Sequence, residues 1–483
     1  MNRLKQYYEK YNLLPLTLKA SMWFTFCSLL QRGMSFLTVP IFTRLMTTQE
    51  YGVVTLYQSW LGVFYVICTL NITYGGFYNG MVKYKDDRDG YTSSILGLTS
   101  VLTIVWAVIY SLFKRQLLPI LGMPDIIIYL MFAEILGKSV YDTWITRQRY
   151  DFNYKIQTLV TVLCAIITPV LGIILVQNMN DKALARILSF VVVFLIVGGW
   201  LYVGILKKST TIFNRKYWTF SVGFCIPLIP HFLAQTVLSQ SDRIMINSMV
   251  GTSEAAIYGF SYNIAMVLTI VYQAINNSFI PWLYQKMEGK EYTDINKITQ
   301  TLLLMIAVVS GIVMLFAPEA VMILGGEKYA EAIAIIPPVI ASVFFMFLFS
   351  VFCNVEVYFE KNYYATIASV VAAVLNVILN YIFIPIAGYV AAGYTTVFCY
   401  MILSVTHYIC MKKICRDKKI ERTIFDVRPV VVMSIGVSLF GIFARVLYVN
   451  NVLRYVFCVV ALSLCCVKRK RITEIMKLLK TRG

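Results

Sequence analysis

Charge is what this sequence lacks most. Asp, Glu, Lys and Arg together make up only 14% of its 483 residues, against about 25% in a soluble protein. A water-soluble globular enzyme is excluded, because there is too little solvating surface to cover a core of this size. Histidine is scarcer still, with two residues, and neither His231 nor His407 has metal-ligand company in the sequence. The 11 cysteines contain no CxxC pair; only Cys465 and Cys466 are adjacent, so cysteine reads as a small buried hydrophobe rather than a ligand or a disulfide half. There is no phosphate-cradling Gly loop, no GxSxG, no HExxH and no loop long enough to form a soluble domain. The expectation is a protein that is not an enzyme and carries neither metal nor cofactor. The N-terminus has no short apolar core followed by a cleavage site, so the first span is expected to serve as the insertion signal.

What is abundant is apolar residues, at 59% of the chain with a mean hydropathy of +0.71. At about 20 residues per membrane-spanning helix, this predicts an all-α, polytopic membrane protein. Fourteen apolar windows can be traced, the first near 22–45, the seventh near 219–249 and the last near 450–467. The 43 basic residues outnumber the 24 acidic ones. With the N-terminus cytoplasmic, most of them fall in the cytoplasmic tails and loops, and only Arg32, Lys138 and Arg243 fall within spans. This bias places both termini in the cytoplasm. It also assigns the positive charge to anionic membrane lipids rather than to nucleic acid.

An internal repeat sets the organisation. Thr48-Gln-Glu50-Tyr-Gly52 through Tyr57 follows the first span, and Thr252-Ser-Glu254 through Tyr258 and Ser261 follows the seventh. Six spans separate the copies, an even number, so the halves have the same orientation as parallel repeats. Two six-helix bundles are expected, residues 1–210 and 211–413. A basic loop, helices 13 and 14 and a cytoplasmic tail occupy 414–483.

An ionisable group at the bilayer centre costs about 2.5 to 3.5 kcal/mol and is a functional candidate by default. Arg32 shares a stripe of the first span with Thr25, Ser28 and Ser35. In the seventh span His231, Gln235 and Asp242 share a face beside Arg243, and Pro227 and Pro230 interrupt the helix just before. A cleft between the lobes would present Arg32 and Arg243 to one anionic ligand, and a planar guanidinium suits a pyrophosphate. Ser28, His231, Gln235 and Asn263 complete the candidate cavity lining. Asp242, Glu134, Lys138 and Glu356 are candidates for ion coupling or internal ion pairs. Glu134 and Lys138 stand at i,i+4, and Glu356 is expected near the cytoplasmic surface.

Three stretches resemble a known family: Phe36 to Arg44 leading into Glu50-Tyr-Gly52; Gln240-Ser-Asp242-Arg243 to Asn247 followed by Glu254 and Tyr258; and Ala317-Pro-Glu319 through Gly326-Glu-Lys-Tyr329, Asn376, Asn380, Pro385, Gly388, Ala391-Ala-Gly393 and Tyr400. They resemble the polysaccharide transporters, or Wzx-type flippases, of the multidrug/oligosaccharidyl-lipid/polysaccharide exporter superfamily. The resemblance implies a bacterial inner-membrane protein that moves an undecaprenyl-pyrophosphate-linked oligosaccharide by alternating access for O-antigen, capsule or exopolysaccharide assembly. A polysaccharide polymerase would be its partner. The energy source is left open by the sequence: a proton or sodium gradient is the candidate, and no single carboxylate stands out as its binding site. The rival readings are an ion-coupled drug or cation antiporter of the same superfamily and a membrane-embedded polysaccharide polymerase. The first would need buried acidic residues in the lobes. The second would need a large outward loop.

Overall fold

The computed structural model describes residues 15–420 and 424–467. The adjacent cysteines' side chains, the Lys468 to Arg471 run and the basic residues Arg3, Lys5 and Lys10 lie outside the described residues. Every regular element described is helical. Eleven of the described helices are long and apolar enough to cross a membrane, or twelve when one sharply bent pair is counted as a single span. They coincide with twelve of the fourteen windows. The first and last windows are also helices: α1 (Leu16–Leu45) carries Lys19, Arg32 and Arg44, and α18 (Asn451–Val467) has only 17 residues.

Two compact units emerge, Met1–Leu233 and Ala234–Gly483. The first holds α1, α2 (Thr48–Thr69), α3 (Gly76–Lys83), α4 (Arg88–Leu112), α5 (Lys114–Leu121), α6 (Asp125–Tyr150), α7 (Tyr154–Asn178), α8 (Lys182–Leu206) and α9 (Arg215–Cys225). The division falls inside α10 (Ile229–Met249). The second unit continues with α11 (Thr252–Glu288), α12 (Tyr292–Leu315), α13 (Ala317–Leu324), α14 (Ile336–Tyr358), α15 (Asn362–Ala387), α16 (Val390–Asp417), α17 (Val427–Leu447) and α18.

Local chemistry explains the breaks. The first copy of the repeat opens α2 with a capping box, in which Thr47 Oγ1 accepts from Glu50 N at 3.2 Å and Glu50 Oε2 accepts from Thr47 N at 2.7 Å. Two orphan donors at the helix start are satisfied at once. The second copy opens α11 at Thr252, with Glu254 in the first turn. Between α5 and α6 the chain bends by 89°. Gly122 takes φ +64° there, and Pro124 precedes the new helix, a combination that ends one helix and starts another. Pro227 and Pro230 act as expected: a 3-10 turn over Ile226–Leu228 separates α9 from α10.

The helices are apolar outward and small or polar inward, the reverse of a soluble bundle. On α15, Ile367, Val371, Val374, Ile378 and Ile382 are exposed, whereas Ala365, Ala368, Ser369, Ala372, Asn376 and Asn380 are buried. Lipid solvates the first set, and close helix packing takes the second. In the first unit α6 and α8 touch backbone to backbone. A Cβ on Gly137 would lie 2.3 Å from the Phe194 carbonyl oxygen, and one on Gly198 would lie 2.6 Å from that of Gly137. Gly137→Ala therefore forces the pair apart and is expected to cost about 1–3 kcal/mol. A thermal melt of the purified variant in detergent should show a lower midpoint, and an unchanged midpoint would contradict so close a crossing.

Candidate functional site

In the first unit Arg32 lies midway along α1. It is half-buried, and no hydrogen bond or ion pair joins it to another described residue. The hydroxyls predicted to share its stripe turn back on their own helix, with Thr25 donating to Ser21 O at 2.9 Å, Ser28 to Phe24 O at 3.0 Å and Ser35 to Gln31 O at 3.0 Å. Ser/Thr side chains do this readily in apolar surroundings. Among the described residues the guanidinium has no counter-ion.

The ion pair expected within α6 does not form. Glu134 is buried and accepts a 2.5 Å hydrogen bond from Tyr57 on α2, while Asp142 accepts one of 2.5 Å from Tyr65. Lys138 lies 5.3 Å from the centroid of the Tyr65 ring and 5.9 Å from that of Phe194. No salt bridge joins it to either acid. Tyrosine hydroxyls from the neighbouring helix reach the carboxylates, and the ammonium settles over rings instead. Arg186, which the span-by-span charge count does not place in the membrane, is a further buried cation. Its guanidinium sits 3.9 Å from the centroid of Phe42 and 4.2 Å from that of Phe190, and it donates to Ser189 Oγ at 3.0 Å. Of its two rings only Phe190, one turn on, is near in sequence; Phe42 comes from α1.

His231 is half-buried beside Phe232, with ring centroids 5.7 Å apart. Four residues on, in the second unit, Gln235 donates to Ser369 Oγ at 3.0 Å. Asn263 is half-buried on α11. Arg243 is held by Gln240 Oε1 at 2.6 Å and lies 4.6 Å from the Tyr262 ring centroid, and its Nε is buried without a hydrogen-bond partner.

Asp242 is not neutralised by its neighbour; no salt bridge joins it to Arg243. Fully buried, it accepts from Tyr258 at 2.5 Å, from Thr396 at 2.7 Å and from Asn380 Nδ2 at 2.7 Å. Asn376 extends the network, with its Oδ1 accepting from Ser241 at 2.8 Å and its Nδ2 donating to Thr396 at 3.2 Å. Four helices, α10, α11, α15 and α16, converge here on one carboxylate with no cationic side chain bonded to it. A buried carboxylate left unpaired by a base takes up a proton or a bound cation. Hydroxyl, carboxylate and amide oxygens are the donors that hard cations use, and a half-turn of the Asn380 amide would present its oxygen. Sequence reading marked Asp242 but not its partners as a group. The signal was an i,i+4 pair of asparagines in an otherwise apolar helix.

Glu356 stands in the last turn of α14, with its side chain turned into the protein. It is fully buried and lies 2.9 Å from His407 Nδ1. The reading that leaves both histidines without metal-ligand company fails at His407, because Cys353, Glu356 and His407 bring one ligand atom each within 4.8 Å of one another. The partners come from α14 and α16, a proximity no sequence spacing records.

A bundle of long apolar helices with polar side chains reserved for its interior defines a polytopic membrane protein of the transporter type. The family model described as polysaccharide biosynthesis protein matches residues 17–287, and the model called MatE matches residues 227–382. The chain therefore belongs to the polysaccharide biosynthesis protein family, among the polysaccharide transporters of the multidrug/oligosaccharidyl-lipid/polysaccharide superfamily. It is 24% identical over 366 residues to protein 1 of the Lsg locus of Haemophilus influenzae, covering 71% of this chain and 85% of that one. Its fold is similar to that of a lipid II flippase, MurJ, in an inward closed conformation, with a TM-score of 0.68 and 12% identity over 94% of this chain and all of that one. It also resembles a multidrug resistance MATE transporter in its inward-facing conformation, with a TM-score of 0.57 and 13% identity over 81% of this chain and 96% of the other.

Proposed function

We propose that this chain flips an undecaprenyl-pyrophosphate-linked oligosaccharide across the bacterial inner membrane by alternating access, drawing on a sodium or proton gradient. Arg32 carries the reading. A half-buried guanidinium midway along α1 that bonds to no other described residue suits an anionic group, and the pyrophosphate of a lipid carrier supplies two charges in fork-compatible geometry. Family membership and the resemblance to a lipid II flippase support the choice of a lipid-linked saccharide. Asp242 and its ring of hydroxyl and amide partners serve as the coupling site. Cation or proton uptake there changes the charge at the junction of α10, α11, α15 and α16 and so biases one packing of those helices over another. The cytoplasmic termini and a polymerase partner belong to this proposal as well.

The test is transport of a fluorescent undecaprenyl-pyrophosphate oligosaccharide in proteoliposomes, read as accessibility of the label to an outside quencher, with and without an imposed ion gradient. Gradient-dependent movement is expected. A second reading, drug or cation antiport, is favoured by Asp242 and its partners Tyr258, Asn376 and Asn380 lying within the stretch matched by the MatE model. Ion-coupled efflux of organic cations with no movement of the glycolipid would establish that reading in place of the first.

A further inference from the structure

One polar cluster in the second unit plays no part in this scheme. α14 carries Cys353 and Glu356 one turn apart, α16 carries His407 and Cys410 at the same spacing, and the two helices pack together closely. A spacing of i,i+3 puts both members of each pair on one face. His407 Nδ1 and Glu356 Oε1 are 2.9 Å apart, with the two side chains only 1% and 0% exposed. The Cys353 sulfur shares their 4.8 Å neighbourhood, and Cys410 follows His407 by one turn on the same face of α16. The ring of Phe349 stacks on the imidazole, centroids 5.5 Å apart and planes 23° from parallel, and fixes its orientation. Glu356 Oε2 is buried with no hydrogen-bond partner among the described residues. Leaving a buried acceptor unmade costs about 1–3 kcal/mol, and more when it is charged. A proton shared between Glu356 Oε1 and His407 does nothing for that second oxygen.

We propose that Cys353, Glu356, His407 and Cys410 form a binding site for a borderline-soft divalent cation of the zinc class, which clamps α14 to α16. The donor set is two sulfurs, one nitrogen and one carboxylate, the mixture that zinc accepts in tetrahedral sites and that magnesium and calcium do not favour. Zinc bonds of about 2.0–2.1 Å to nitrogen and oxygen set those two atoms a few tenths of an ångström further apart than the Glu356–His407 hydrogen bond does. The metal therefore enters by a slight opening of that pair, and rotation about χ1 brings the sulfurs inward. Both thiols bind as thiolates and release their protons to water on metal uptake. Glu356 stands two residues before the end of α14, so the ion reaches the cluster from the aqueous end of the helix rather than through the hydrocarbon.

The experiment uses the untagged full-length chain in detergent, stripped with chelator and dialysed against zinc chloride or cobalt chloride. We expect near-stoichiometric zinc by elemental analysis, a raised melting midpoint, and a cobalt spectrum with a thiolate charge-transfer band and tetrahedral visible bands. The double variant Cys353→Ser with Cys410→Ser should lose the charge-transfer band and at least about tenfold in affinity. Zinc uptake by the wild type no greater than that of the double variant, or a wild-type cobalt spectrum without thiolate charge transfer, overturns the site. The wild-type spectrum decides the matter even where the variant fails to fold. None of these readouts depends on the transported substrate.

Discussion

Asp242→Asn is expected to yield a folded protein whose glycolipid flipping no longer responds to a sodium or proton gradient, with the gradient-driven rate down at least tenfold. The carboxylate accepts from Tyr258, Thr396 and Asn380. Each hydrogen bond to a charged group is worth about 1.5–3 kcal/mol, and each 1.4 kcal/mol is a factor of ten. The amide keeps the shape and one acceptor oxygen but has no charge to offer a cation and no proton to exchange. Its NH2 group confronts one of the surrounding donors, so a modest loss of thermal stability accompanies the loss of coupling. Asp242→Ala should behave worse, because three buried donors then face a void, and about 3–5 kcal/mol is the usual cost of breaking such a buried arrangement. Melting curves beside the gradient assay separate the two effects. Wild-type gradient dependence in a well-folded Asp242→Asn would remove the carboxylate from coupling.

Arg32→Ala should reduce flipping by at least tenfold at matched protein levels, with Arg32→Lys intermediate. Lysine keeps the charge but loses the planar fork that grips a pyrophosphate through paired N–H groups. A structural role predicts a different pattern. A buried cation that merely balances a carboxylate would, when removed, lower abundance and melting temperature and leave the turnover of the surviving protein intact. The absence of any carboxylate bonded to Arg32 makes destabilisation the smaller expectation; the alanine variant also escapes the cost of holding a lone cation in the bilayer. Wild-type flipping by a stable Arg32→Ala would end this residue's claim on the substrate.

Helix identity was readable in the sequence because apolar length and charge placement are one-dimensional properties. Twelve spans appear where the windows place them, and the two prolines break the seventh span where the missing N–H groups require it. The partners of each buried charge were not readable. Glu134 and Lys138 have the spacing of an ion pair, yet the hydroxyl of Tyr57 reaches the carboxylate first, from a helix 77 residues away in sequence. Asp242 and Arg243 are adjacent but point to different neighbours, since consecutive helical residues diverge by about 100°. Arg186 was hidden at the edge of a span, and one of the two rings that hold it, Phe42, comes from α1 and leaves no local trace. Glu356 and His407 meet only because α14 and α16 pack together, a tertiary event with no local trace.

The inside-out pattern of α15 dictates an order of assembly. Its apolar outer face is enough to carry it into the bilayer as it leaves the ribosome, but Asn376 and Asn380 then sit in hydrocarbon before Thr395 and Thr396 have been synthesised. Asp242 has been waiting longer, inserted some five helices earlier. The polar network therefore closes only when the last helix of its ring arrives: Ser241 and Asp242 are already there to meet the asparagines, but Thr396, which accepts from Asn376 and donates to Asp242, comes with α16. Completion of α16 is the step at which the carboxylate and both asparagines gain their full set of partners.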